Sequence, residues 1–343
     1  MDPEALLQKH KPWLVLRPQN PSLQRPGWDF DDYRDEEYGD YHPCSAEFFL
    51  SLVEQRDGPR KWNPLFFLDK SGSKPTGIDA LKDKVAQAGR DSTKDWELDI
   101  APIRSQDAAR AWHDYPELKP ELNQRPKLVY GHYVGGQRHV LEYWYLYAYN
   151  DAPNRHEGDW EMVAIEVDGD GNPIAACYSG HSGGFWRKWD EVDRGPEKGD
   201  RPYVYVGRGS HAAYFFHDPD GHVTNSLEPR KGWVEPFESA WVLLNKGVQG
   251  TMSALRLKDW TTSALKNDPP TEADTVIDSD LVILPDVDKR DGRPELWWMD
   301  LRCAWGSRHS RFRATIGPPP PWEQVSKWET PADWMDKFKP KTA

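Results

Sequence analysis

The run Asp151-Ala-Pro-Asn-Arg-His156-Glu157-Gly158-Asp159-Trp160-Glu161 holds the densest set of groups able to do chemistry in this chain. Apolar strand patterns flank it, so Asp159 and Glu161 stand at i and i+2 at a strand start and point to one face, about 6.6 Å apart along the chain. At an effective dielectric of 20 two such charges repel by about 2.5 kcal/mol. A bound divalent cation reverses that cost, whereas sharing a proton only reduces it. His156, in the loop before the strand, and Asp151, at the end of the preceding strand, reach the same point. Asp151, His156, Asp159 and Glu161 form a mixed oxygen and nitrogen donor set suited to magnesium, calcium or manganese, with zinc as a further choice. The bland alternative is a surface loop whose carboxylates pair with Arg155 or Lys188.

Two more histidines sit where strands end and small residues follow, in Tyr178-Ser179-Gly180-His181-Ser182-Gly183-Gly184 and Gly209-Ser210-His211-Ala212-Ala213. Glycines beside a histidine allow close backbone approach to a ligand. Both His181 and His211 are expected within about 12 Å of Asp159, in or just outside its coordination sphere. Ser179, Phe185 and Trp186 are expected to line the ligand, although core packing is the commoner role for any one of the aromatics. Two uses of the site stay open. A binding protein would hold hydroxyls of a glycan or polar lipid head group on the cation. A hydrolase of an ester, phosphodiester or glycoside would use the same cation as Lewis acid, with Glu157 or His181 as base. A scaffold module, the third class, predicts no metal.

The elements that must carry these groups read as mainly β. Runs at 140–149, 160–167, 174–178 and 203–206 are β-branched and aromatic, and turn residues separate them. Asp168-Gly-Asp-Gly-Asn172 reads as a hairpin turn, since the downstream glutamate of a calcium loop is missing. A further strand pair is expected near 282–284 and 296–304. Helices are expected at 45–54, 78–88, 106–113 and 253–266, the second with Thr76 and Asp79 at capping-box spacing. The resulting expectation is a single β-sandwich domain with peripheral helical insertions. It has an N-terminal arm at 1–44, helical insertions at 45–127, a sandwich core at 128–316 and a C-terminal strap at 317–343.

Composition narrows the partners. Among 343 residues, 44 Lys and Arg against 56 Asp and Glu leave a net charge of −12, which disfavours nucleic acid and a polybasic grip on anionic lipid. The 18 Trp, 14 Tyr and 11 Phe must supply much of the buried area. Cys44, Cys177 and Cys303 are odd in number and far apart, so reduced thiols are expected rather than a disulfide framework. No basic segment leading into a long apolar run opens the chain, and no stretch reaches the ~20 apolar residues of a spanning helix. The expected setting is the cytoplasm, or release without a Sec-type signal peptide, with membrane contact at most peripheral.

His156-Glu157-Gly158-Asp159-Trp160-Glu161, Tyr178-Ser179-Gly180-His181 and the run from Arg201 to Ala212 resemble the vacuolar protein sorting-associated protein 62 family. Trp305-Gly306 and Gly317-Pro318 extend that resemblance toward the C-terminus. More distantly the same residues resemble the necrosis- and ethylene-inducing-like cytolysins, which carry a Gly-His-Arg-His-Asp-Trp-Glu heptapeptide on a β-sandwich. In that family a divalent cation helps bind sphingolipid head groups. The resemblance implies that His156, Asp159 and Glu161 stand for its His, Asp and Glu, Asp151 for an upstream Asp and His181 for a later Ser-x-His-Gly element. Arg155 and Gly158 replace the motif's first Gly and second His.

Overall fold

The computed structural model describes residues 1–16, 42–57, 74–100, 127–150, 156–180, 183–195, 201–207, 211–217, 223–224, 275–290, 292–306 and 317–340. Its helices are α1 (Pro3–His10), α2 (Ala46–Leu52), α3 (Ile78–Ala88), α4 (Val325–Trp328) and α5 (Pro331–Asp336). Its strands are β1 (Trp13–Leu16), β2 (Val53–Asp57), β3 (Trp96–Ile100), β4 (Leu128–Val134), β5 (His139–Asn150), β6 (His156–Val167), β7 (Pro173–Gly180), β8 (Gly183–Lys188), β9 (Tyr203–Val206), β10 (Ala213–Tyr214), β11 (Phe216–His217), β12 (Val223–Thr224), β13 (Thr275–Ile277) and β14 (Asp280–Ile283).

A six-stranded sheet in the order β14-β4-β5-β6-β7-β8 forms the centre, antiparallel except for the parallel β14–β4 edge. Alternation along its strands sends side chains to opposite faces, and both faces are covered. Trp144, Leu146, Trp160, Met162 and Cys177 join one apolar cluster with Phe48, Phe49, Trp298, Trp305, Trp322, Trp328 and Trp334. Tyr143, Tyr145, Tyr147, Val163, Ile165 and Tyr178 join a second cluster that also takes Leu14, Leu16, Val204, Val206 and Ile277 from a four-stranded sheet, β10-β9-β1-β13. That double cover leaves every position of the 12-residue β6 buried, its charged ones included.

Local chemistry explains the elements that hold this frame. Asp2 caps α1 by accepting from the Glu4 and Ala5 amides at 3.1 and 3.3 Å, Pro3 opens it, and Leu6 and Leu7 go inward. The expected turn at 168–172 forms, with Asp168 Oδ1 accepting from the amides of Asp170 and Asn172 at 2.9 Å. Helix α3 follows its apolar period, burying Leu81 and Val85. The expected capping box is absent, because Gly77 occupies the N-cap and the Thr76 hydroxyl accepts from the Gln55 amide at 2.8 Å.

Other expectations need correction. The proposed strand at 296–304 is a 3₁₀ segment over Pro294–Asp300, opened by Pro294 and burying Leu296, Trp298 and Met299. The pattern at 282–284 belongs to β14, which pairs with β4 instead. The expected helix at 45–54 gives way at Val53 to β2, which pairs with β3 inside the region assigned to helical insertions. Residues 1–16 of the supposed arm supply β1, an interior strand between β9 and β13. The C-terminal segment is no surface strap either: Trp322, Trp328, Trp334 and Met335 are core residues. The helices expected at 106–113 and 253–266 lie outside the described residues. Cys44, Cys177 and Cys303 are free and buried.

Candidate functional site

The third residue of β6 is a glycine in a backbone conformation and a close contact that disfavour any side chain. Gly158 has φ +61°, and a Cβ there would lie 2.1 Å from the Trp305 carbonyl oxygen. Gly306, at φ +113°, approaches as closely, its Cβ position falling 2.0 Å from the Glu157 carbonyl oxygen. The Trp305 amide donates to Pro318 O at 3.0 Å and the Gly317 amide to Gly306 O at 3.2 Å. Trp305-Gly306 and Gly317-Pro318 are therefore pressed against His156-Glu157-Gly158. Motifs separated by about half the chain meet there.

Beyond Gly158 the register sets Asp159 opposite Tyr147 and Glu161 opposite Tyr145, on the face toward the four-stranded sheet. Both carboxylates are buried, at 6% and 5% exposure, as one-face spacing combined with the double cover requires. Asp159 Oδ2 lies 3.2 Å from His211 Nδ1, and Glu161 Oε2 accepts from the Ser179 hydroxyl at 2.5 Å. Ser179 Oγ in turn accepts from the Met162 amide at 2.7 Å, which fixes the Glu161 side chain to the backbone of its own strand. Burial, reinforced by the Asp159 charge, holds the Glu161 carboxyl well above the usual carboxylate range.

The connection from β9 to β10 delivers His211. Its φ of 55° is the left-handed conformation, rare for a side-chain-bearing residue. Two backbone bonds hold it there, His211 N to Gly207 O and Gly207 N to Ala212 O, each 2.9 Å. Its ring stacks on Tyr147 with centroids 4.1 Å apart and planes 6° from parallel. Burial lowers its pKa, the Asp159 contact opposes that, and the nearby His156 adds to the lowering. A neutral His211 donating from Nδ1 to Asp159 is the state this environment favours. His156 places Nδ1 2.7 Å from Gly158 O, and only donation satisfies a carbonyl. In the neutral ring that leaves the lone pair on Nε2, the arrangement of a metal-ligating imidazole whose other nitrogen is anchored.

Of the residues singled out from the sequence, His156, Asp159, Glu161, Ser179 and His211 gather at this end of β6 and β7. Asp151 and His181 lie outside the described residues. Glu157 goes elsewhere: fully buried, it accepts from the Ile100 amide at 2.7 Å, which commits an oxygen of the expected base to the end of β3. Phe185 and Trp186 divide between the two faces of β8. Phe185 packs on the tyrosine side, and Trp186 on the tryptophan side, where it lines a 420 Å³ cleft with Arg138, Ile174 and Lys188. Trp186 is thus on the opposite face of the sheet from the acidic pair. Sequence reasoning missed Tyr147, although the alternation Tyr143-x-Tyr145-x-Tyr147 carried its parity. It also missed Lys327 of α4, whose charge acts on Glu161. Among the described residues, no three His, Cys, Asp or Glu side chains converge into a metal cage.

No family model and no curated protein matches this chain. Among solved structures, it is similar to NLPPya in complex with glucosamine, at 21% identity and a TM-score of 0.22, over 29% of this chain and 45% of that one. It is also similar to Necrosis and Ethylene inducing Protein 2 from the causal agent of cocoa's witches' broom disease, at 15% identity and a TM-score of 0.22, over 26% of this chain and 44% of that one. A structure titled as a toxin fold for microbial attack and plant defense aligns at 19% identity and a TM-score of 0.20, over 23% and 38%. The aligned parts span less than half of each of those chains. The described helices include none long and apolar enough to cross a membrane.

Proposed function

We propose that this protein is a single-domain β-sandwich that binds a divalent cation at the start of β6 and uses it to recognise a polar lipid head group or glycan. The observation that carries the reading is the pair of adjacent buried carboxylates, Asp159 and Glu161, beside two imidazoles. Burying two like charges is costly unless a cation or a proton neutralises them. The donor types suit a hard cation, which would have to draw them together: carboxylate oxygens from Asp159 and Glu161, and Nε2 of His156, whose Nδ1 is held by Gly158 O. Asp151, from the segment before β6, would complete it. His211 and Ser179 would orient the two carboxylates from behind. Such a cation would chelate vicinal hydroxyls of a sugar or head group.

The sandwich reading rests on the second apolar cluster, which takes side chains from both sheets. The hydrolytic alternative is less well supported, because Glu157 is engaged with the Ile100 amide. Calorimetric titration of calcium, magnesium, manganese and zinc into chelator-treated protein should show one site, lost in Asp159→Asn/Glu161→Gln. Flotation with neutral glycolipid vesicles should follow the cation and weaken little with salt, because no polybasic surface is involved. Cation-independent or salt-sensitive binding to anionic vesicles would overturn the proposal.

A further inference from the structure

A second group of titratable side chains, apart from the acidic site, centres on His132. Strand β4 carries this residue inward until 2% of it is exposed. Its Nδ1 lies 3.0 Å from Glu142 Oε2 on β5, and its Nε2 lies 3.1 Å from Asp286 Oδ1, just after β14. The ring lies flat on Trp328 of α4, with centroids 3.7 Å apart and planes 2° from parallel. Glu142 Oε2 also accepts from the Trp144 indole at 3.0 Å. An ionised carboxylate only accepts, so with both carboxylates charged an imidazole engaged through both nitrogens donates from both and is an imidazolium. Stacked on an indole, that cation gains further from the ring's negative face.

We propose that His132 is a protonation latch for the C-terminal segment: charged, it clasps residues 321–338 to the central sheet through Trp328, and loss of its proton loosens that segment. The surroundings define the window. Glu142 faces it from β5, Asp286 from the turn after β14 with Lys289 at 2.7 Å on its other oxygen, and α4 brings Lys327, whose charge acts on Glu142. Burial opposes the charged ring, but the bonds to Glu142 and Asp286 prevail and raise the His132 pKa. A raised folded-state value means that the clasp is present below the unfolded value and is lost as pH climbs through the folded one. Glu142 is held up by burial, while the Lys289 and His132 bonds draw Asp286 down, so the Asp286 side of the clasp fails only as pH falls through that depressed value. Opening of this segment with the six-stranded sheet intact is a local event rather than global unfolding.

Amide hydrogen exchange of the full chain, corrected for intrinsic rates and referred to amides of β5 and β6, reads the latch directly. Protection of residues 325–338 should fall about tenfold between pH 6.5 and 9 in the wild type. His132→Gln retains a donor without a charge and should show the loosened value at both pH values. Asp286→Asn, at a half-exposed side chain, leaves the ring one carboxylate and should move the midpoint to lower pH. A wild-type profile that stays flat, or a His132→Gln profile with the wild-type pH dependence, overturns the proposal. Should His132→Gln fail to fold, an unshifted midpoint in Asp286→Asn overturns it instead.

Discussion

Neutralising the acidic pair should stabilise the metal-free protein. Asp159 and Glu161 are buried on one face, and at the along-strand spacing of about 6.6 Å the two, when both ionised, repel by about 2.5 kcal/mol at an effective dielectric of 20. In Asp159→Asn/Glu161→Gln the repulsion disappears, and the amide oxygens still accept from His211 and Ser179. Two charge-assisted bonds become neutral ones, which returns roughly 1 kcal/mol of the gain. The net expectation is about 1–2 kcal/mol of added stability at pH 7. With an unfolding entropy of about 2.1 cal/mol/K per residue, that is a Tm increase on the order of 2 °C. The gain should shrink as pH falls. Glu161 has a raised folded-state pKa, so its ionisation costs the wild type stability only as pH rises toward and through that value. Excess divalent cation should reverse the order, since a ligand at 100 times its Kd adds about 2.7 kcal/mol to the wild type alone. Urea titrations with chelator at pH 5 and 7, repeated with cation, test each arm. A metal-free double variant less stable than wild type by 2 kcal/mol or more would refute the reasoning, as would an equal gain from cation in both proteins.

Gly158→Ala should destabilise the protein by roughly 3 kcal/mol or more, since left-handed backbone disfavours a Cβ and that Cβ would stand 2.1 Å from the Trp305 carbonyl oxygen. Denaturant unfolding measures this, and a loss under 1 kcal/mol would show that the 305–317 contact is not rigid. The three thiols should resist a disulfide reagent in the native state and all react in denaturant, because each is buried and burial pushes Cys303 up to about 12. Rapid native labelling of any one would contradict that burial. His211→Ala should lose both the Tyr147 stack and the Asp159 bond, for a cost of about 2–3 kcal/mol at pH 7 by thermal unfolding.

Much of the site's parity was legible in the residues. Period-two alternation placed Asp159 and Glu161 on one face, and the aromatic runs located β5, β6, β7 and β9 within a few residues. The turn at 168–172 and the face of α3 followed from equally local chemistry. Alternation states which face a side chain takes but not what covers that face, so Tyr147 and His211 emerged as neighbours of the acidic pair only when the sheets packed. Glu157 shows the limit most sharply. It shares its spacing with Asp159 and Glu161, yet the left-handed Gly158 lies between them and its carboxylate binds the Ile100 amide. The Pro- and Trp-rich tail looked like a surface strap because nothing in its spacing marks a periodic face. Its tryptophans are buried by a sheet face that the strands alone leave uncovered, a contact made across 150 residues or more of sequence. Local periods come from backbone geometry and are written in the chain. Partners come from long-range burial, which only the folded molecule decides.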